Sequence, residues 1–197
     1  MDKRDIFDDE KDYIRFLVSM REFNCVEAIG SLHVLKGTRS LKAFRDRVPS
    51  PPLVEIICYC LNSNHYHFIL KQKVEGGISE FIKRVASGYT SYFNARNNRS
   101  GALFQGKFKA VKIRSSDQLI QLSCYINGNP EIHKLAKAEN YIWSSYQDFL
   151  GKRNGTMCKK DIVLDEFNNV KEYQELTNYL IKELGERKDD EKNYFLE

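Results

Sequence analysis

Asn62-Ser-Asn-His-Tyr-His-Phe-Ile-Leu70 is the stretch on which the fold turns. The residues before it, Leu53 to Leu61 (LVEIICYCL), are rich in β-branched and aromatic side chains and apolar on both pleat faces. That pattern suits a strand covered on two sides. Asn62-Ser-Asn supplies the turn, and His65 to Gln72 returns as the second strand of a hairpin. Side chains alternate along a strand, so His65, His67 and Ile69 share one face while Tyr66, Phe68 and Leu70 take the other. Two imidazoles therefore project side by side.

Outward from the hairpin, residues 8–23 read as a first helix. Asp8 or Asp9 caps it, and Tyr13, Phe16, Leu17 and Met20 recur at helical spacing. About 24–52 is an irregular, long connection in which Leu32 to Leu35 offers only a short extended piece. After Gly76-Gly77 a long helix is expected over about 78–97, with Ile78, Phe81, Ile82, Val85, Tyr89, Tyr92 and Phe93 as its apolar stripe. Gly106 to Arg114 (GKFKAVKIR) reads as a strand whose alternation slips near Ala110 and places Lys107 and Lys109 on one face.

Ser115 or Ser116 then caps a helix with Leu119, Leu122 and Ile126 on its core side. Gln118, Gln121, Tyr125 and Asn129 recur on a different, polar face, and Pro130 predicts the helix end at about Asn129. Tyr125 is thus a tyrosine off the apolar stripe, unlike Tyr89 and Tyr92. Residues 162–184 suggest a last amphipathic segment.

Length and composition point to one domain with an appended tail: 197 residues with 42% hydrophobic and 12% aromatic content. The five cysteines are odd in number, lie mostly in apolar runs and form no C-x-x-C, so they read as buried reduced thiols. No window approaches the roughly 18 apolar residues of a membrane span, and the charged start is unlike a signal peptide; a cytoplasmic location is expected. The net charge of +4 is segregated. Lys71 to Arg114 holds ten Lys/Arg against two acids, and Asp161 to Glu197 holds five against eleven. A basic middle suits a phosphate-rich partner, and an acidic tail either repels DNA or screens that surface.

A strand-borne His-x-His offers two nitrogen ligands for a divalent metal without any chain reversal. Alone the pair is incomplete, and polar residues at a hairpin mouth is its simpler reading. Asn129 and Tyr125, one helical turn apart, can supply the missing oxygen ligand and nucleophile.

Taken together, Asn64-His-Tyr-His-Phe-Ile-Leu70, Arg99-Ser-Gly-Ala-Leu-Phe-Gln-Gly-Lys-Phe-Lys109, Tyr125-Ile-Asn-Gly-Asn-Pro130 and Trp143-Ser-Ser-Tyr146 resemble the REP-associated tyrosine transposases. These belong to the single-tyrosine HUH superfamily related to the smallest insertion sequences. The match keeps its order from about Asp5 to Gly151, including the Asp5-Ile-Phe-Asp-Asp9 opening. The resemblance implies an α+β, ferredoxin-like domain over 1–151, an antiparallel sheet with helices packed on it, followed by an acidic helical extension over 152–197. It implies a partner in single-stranded, hairpin-forming DNA, with a monomer favoured over a homodimer.

It further implies that His65, His67 and Asn129 bind Mg²⁺ or Mn²⁺, and that Tyr125 attacks a phosphodiester to leave a 5′-phosphotyrosine and a free 3′-hydroxyl. Arg96, Arg99, Lys107, Lys109, Lys112 and Arg114 are the expected phosphate contacts. Phe104 reads equally as a base-stacking ring or plain core. Gln121 is either an orienting residue or simply exposed. Two departures stand out: Asn62-Ser63 replaces the family's usual Met-Pro, and the first strand expected beside the histidine strand is missing, with Leu32 to Leu35 its one candidate replacement. The missing strand motivates an alternative, a domesticated or inactive structure-specific DNA-binding protein. A phosphodiesterase that uses water in place of Tyr125 ranks behind both.

Overall fold

The computed structural model describes residues 4–30, 32 and 50–194. Its elements run α1 (Glu10–Glu22), β1 (Val54–Leu61), β2 (Tyr66–Gln72), α2 (Gly77–Arg96), α3 (Ser116–Ile132), α4 (Tyr146–Phe149), α5 (Asp161–Leu164) and α6 (Val170–Tyr194), with a 3-10 turn at Ala138–Asn140. The fold is α+β. Among the described residues the sheet is a two-stranded antiparallel hairpin, and the helices include a C-terminal set, in keeping with the expected architecture. The candidate replacement strand lies outside the described residues apart from Leu32, which is buried.

The chain divides into two compact units, Met1–Glu55 with Lys71–Ala110 and Ile56–Leu70 with Val111–Glu197. In the first, Asp9 caps α1 by accepting from the Lys11 and Asp12 amides, as its acidic side chain favours. Phe7, Phe16 and Tyr89 form a ring cluster with centroids 5.1–5.4 Å apart. Arg96, at the end of α2, pairs with Asp9 at 2.6 Å and with the fully buried Asp12. Arg84 pairs with Glu80 at 2.7 Å and donates to the Cys25 and Val26 carbonyls.

In the second unit, Cys58, Cys60 and Ile69 of the hairpin pack with Cys124 and Ile126 of α3, and with Tyr146, Phe149, Val163 and Tyr173. These thiols are inert as well as buried: burial raises the pKa of Cys60 and Cys58, and takes Cys158 up to about 12. The outer edge of β1 is paired by later chain. Cys60 bridges Ser144 and Ile56 bridges Cys158; the Leu61 amide donates to Trp143 O at 3.0 Å and the Lys159 amide to Ile56 O at 2.8 Å. Residues 143–159 therefore complete the hairpin rather than merely follow it.

Two sequence expectations are corrected. Residues 106–114 form no strand. The slip near Ala110 leaves no consistent apolar face, and Phe108 and Val111 are 44% and 79% exposed, so burial offers a strand there little gain. Lys107 and Lys109 are exposed on irregular chain. Second, α3 does not stop at Asn129 but runs to Ile132. Pro130 removes only one amide in the last turn, the His133 amide still reaches Asn129 O at 3.0 Å, and Pro130 and Ile132 are buried. The helix ends instead at Lys134, whose φ of 58° is left-handed.

Candidate active site

The second unit builds its polar centre from the turn end of the hairpin and one face of α3. His65 and His67, two residues apart, stand with ring centroids 4.9 Å apart and nearly perpendicular. Tyr125 and Asn129 lie one turn apart on one side of α3, and His133, its C-cap residue, continues the four-residue step. The register matches: the Tyr125 ring is 5.9 Å from His67, and the His133 ring is 6.0 Å from His65. The strand and the helix thus lay their polar residues in opposing rows.

Asn129 meets the hairpin through a side chain that its sequence position did not single out. Asn62 Nδ2 donates to Asn129 Oδ1 at 2.6 Å and lies 2.9 Å from His65 Nε2. His65 Nδ1 faces Asn64 Oδ1 at 2.6 Å. An amide nitrogen can only donate and an amide oxygen only accept, so the network assigns His65 the Nδ1–H tautomer with its Nε2 lone pair turned inward. Asn62 and Asn129 are 1% and 0% exposed. Asn129 Nδ2 is buried with no hydrogen-bond partner, as are Arg15 Nε and Tyr146 Oη elsewhere, a state uncommon for buried polar groups.

The other side of α3 is held firmly. Asn127 Nδ2 donates to Tyr173 Oη at 2.8 Å, Ser145 Oγ donates to Asn127 Oδ1 at 2.7 Å, and the Tyr59 amide donates to Ser145 Oγ at 3.0 Å. Gly128 lets α6 approach so closely that a Cβ there would stand 2.6 Å from Ile181 Cγ1. Helix α6 and the β1 edge therefore fix the rotation of α3, and with it the aim of Tyr125 and Asn129.

A divalent metal can be set against this donor set. Two imidazole nitrogens and an amide oxygen are donors that ions such as Mn²⁺ accept. Among the described residues no cluster of three His, Cys, Asp or Glu is placed to hold a metal, so a third protein ligand has to be of another type. Asn129 Oδ1, which faces the same buried amide as His65 Nε2, is the oxygen donor available for that role. The residues fit.

The expected phosphate contacts fall into two groups. Arg96 is committed to Asp9 and Asp12, and Arg99 donates to Asn94 Oδ1 at 2.5 Å and Ala102 O at 3.1 Å, all within the first unit. Lys107, Lys109, Lys112 and Arg114 are exposed. Phe104 is half-buried, its ring 6.3 Å from Tyr89. Gln121 is exposed, whereas Gln118 accepts from the Arg114 amide at 2.8 Å before the helix start. Sequence reasoning missed Asn62 and His133. His133 sits four residues beyond Asn129, and an end at Pro130 removed it from the helical face; Asn62 read as turn chemistry, with its partner 67 residues away.

An α+β domain with a hairpin-borne histidine pair facing a helix-borne tyrosine defines the class of this protein. Residues 38–129 match the model of the family described as "Transposase IS200 like", so over that stretch the chain is similar to IS200-like transposases. The matched span contains His65, His67, Tyr125 and Asn129. No curated protein and no solved structure gives a significant match. That similarity points to transposase-like DNA processing, with DNA as the partner it implies. Among the described residues no helix is long and apolar enough to cross a membrane.

Proposed function

We propose that the chain nicks single-stranded, hairpin-forming DNA and transfers strands through a covalent tyrosine intermediate. The observation that carries this reading is the placement of the Tyr125 ring 5.9 Å from His67, beside the His65/His67 pair, on a helix whose next turn brings Asn129 to the same centre. Tyr125 Oη attacks the scissile phosphorus, forming the P–Oη bond as the bond to the 3′-oxygen breaks. The phenolic proton passes to solvent or a neighbouring base, and the leaving strand takes up a proton as its 3′-hydroxyl. The bond energy is stored in the phosphotyrosine, so rejoining needs no nucleotide cofactor.

His65, His67 and Asn129 would hold Mg²⁺ or Mn²⁺, which when bound supplies Lewis-acid polarisation of the phosphate and offsets charge on the leaving oxygen. His67 orients the reacting end of the centre beside Tyr125. The contacts of Tyr173, Ser145 and Ile181 with α3 hold the helix that carries Tyr125. Lys107, Lys109, Lys112 and Arg114 contact phosphates along the strand.

Incubation with a radiolabelled single-stranded hairpin and Mn²⁺ is expected to yield a protein–DNA adduct that survives denaturing gels. Tyr125→Phe should abolish it. Equal adduct from that variant would overturn the mechanism, and cleavage without adduct would point to attack by water. Tight hairpin binding with no cutting in any divalent metal would mark the chain as a non-catalytic DNA-binding derivative.

A further inference from the structure

Asn62 sits where the candidate ligands converge. Its Nδ2 carries two hydrogens, one aimed at His65 Nε2 at 2.9 Å and the other at Asn129 Oδ1 at 2.6 Å. Its Oδ1 accepts from Cys60 Sγ at 3.4 Å. The side chain is almost fully buried, and the atoms facing it are two of the three lone-pair donors that the metal reading assigns to the cation. Both an NH₂ group and a divalent ion present a positive centre to lone pairs that point inward.

We propose that the Asn62 amide is an internal stand-in for the cation. In the metal-free protein it holds His65 Nε2 and Asn129 Oδ1 in converging positions and keeps His65 in its Nδ1–H tautomer. A cation entering the centre would displace both of its hydrogen bonds, to His65 Nε2 and to Asn129 Oδ1. The inference rests on the metal-site reading given above and adds a residue to it: Asn62 is a positioning residue that sets how tightly the centre takes metal. The physical reason is competition. Each lone pair can face the amide or the ion, so the intact hydrogen bonds are lost when metal binds, and their loss weakens apparent affinity. Among the described residues Asn129 Nδ2 has no hydrogen-bond partner, so the bond from Asn62 to its Oδ1 is the hydrogen bond that opposes its turning toward an ion.

The test uses the full-length protein and Mn²⁺ alone, titrated by calorimetry or by the electron paramagnetic signal of free Mn²⁺. Asn62→Leu keeps the branched shape and removes the competing donors. It is expected to tighten Mn²⁺ binding roughly tenfold, the equivalent of about 1.4 kcal/mol. Unchanged or weaker binding would overturn the proposal, weaker binding because it would make Asn62 a ligand in its own right.

If Asn62→Leu does not fold, the wild type carries the test. Saturating Mg²⁺ should move the Asn62 side-chain NH₂ resonances and increase their solvent exchange. Unmoved, still-protected resonances at saturation would overturn the proposal. His67→Ala separates the two layers of the argument. Wild-type Mn²⁺ affinity in that variant removes the metal site itself, whereas lost binding in His67→Ala with no tightening in Asn62→Leu removes only the stand-in.

Discussion

The arginine pairs of the first unit and the amide centre of the second are built differently, although each unit also holds a buried polar atom without a hydrogen-bond partner elsewhere, Arg15 Nε and Tyr146 Oη. In the first, the paired charges have partners that close them: Asp12 faces Arg96, Arg84 reaches two carbonyls and Glu80, and Arg99 is held by Asn94 and Ala102. In the second, Asn62, His65 and Asn129 share one donor group between two acceptors, and Asn129 Nδ2 has no partner. Closed networks stabilise, whereas an unpaired polar group in a low-dielectric interior is costly and makes the centre around Asn129 a candidate for ligand binding. The contrast separates arginines that shape the protein from polar residues available for chemistry.

The sharpest way to break that contrast is His67→Ala. If the second unit's polar centre serves reaction and not stability, the variant should keep its melting temperature within a few degrees while metal-dependent adduct formation falls by about a thousandfold or more, as expected for a lost ligand and orienting group. A large drop in Tm with residual cutting would place His67 among the structural groups.

Tyr173→Ala should have the largest effect on stability. Tyr173 is fully buried and joins Asn127 to the core from α6. Removing the ring is expected to cost about 3–5 kcal/mol, with a fall in Tm of more than about 10 °C by calorimetry. Tyr173→Phe keeps the ring but leaves the Asn127 amide short of an acceptor, and should cost about 1–3 kcal/mol. A near-neutral Tyr173→Ala would make α6 a dispensable tail, and the rigid mounting of Tyr125 would need another source.

Local pattern carried a good part of this into the sequence. The apolar run before Asn62-Ser-Asn and the alternation after it announced the hairpin. Asp9 and Ser115 announced their helices, and a tyrosine off the apolar stripe announced Tyr125. What stayed hidden depends on distance or on competition between rules. Asn62 is legible only through Asn129, which lies far away in sequence. His133 was lost because a proline near a helix end usually terminates it, whereas here the buried Pro130 and Ile132 carry the helix one turn further. The strand expected at 106–114 failed because alternation without a buried face does not hold a strand. Arg96 and Arg99 looked like DNA contacts because charge density in sequence does not reveal which carboxylates and carbonyls fold back onto them.

That last ambiguity yields a smaller but cleaner test. A phosphate contact contributes to the salt dependence of DNA binding, with a change of about one in the slope of log K against log salt. Lys109→Ala should lower the slope by about that amount and leave Tm unchanged. Arg96→Met should do the reverse: a lower Tm, because Asp12 loses its partner, and an unchanged slope. The opposite result for either variant would move that residue across the divide between the two roles.

The mildest expected effect is on acid stability, and its sign follows from Asp9. The hydrogen bond from the Arg96 guanidinium, opposed by desolvation and aided by the Asp12 and Lys11 amides, holds the Asp9 carboxyl down at about 2 against an ordinary 3.8. The folded state therefore prefers the ionised carboxylate more strongly than the unfolded chain does. Its contribution is fully present above about 4 and is lost as pH falls from there through about 2. The Asp9 side chain is partly exposed, so solvent screening keeps the effect small. Helix content of the wild type, followed by circular dichroism from pH 5 to 2, should fall more steeply than that of Asp9→Asn, which retains a capping oxygen but cannot titrate. Superimposable curves would mean that the Arg96 pairing does not link protonation of Asp9 to the stability of the first unit.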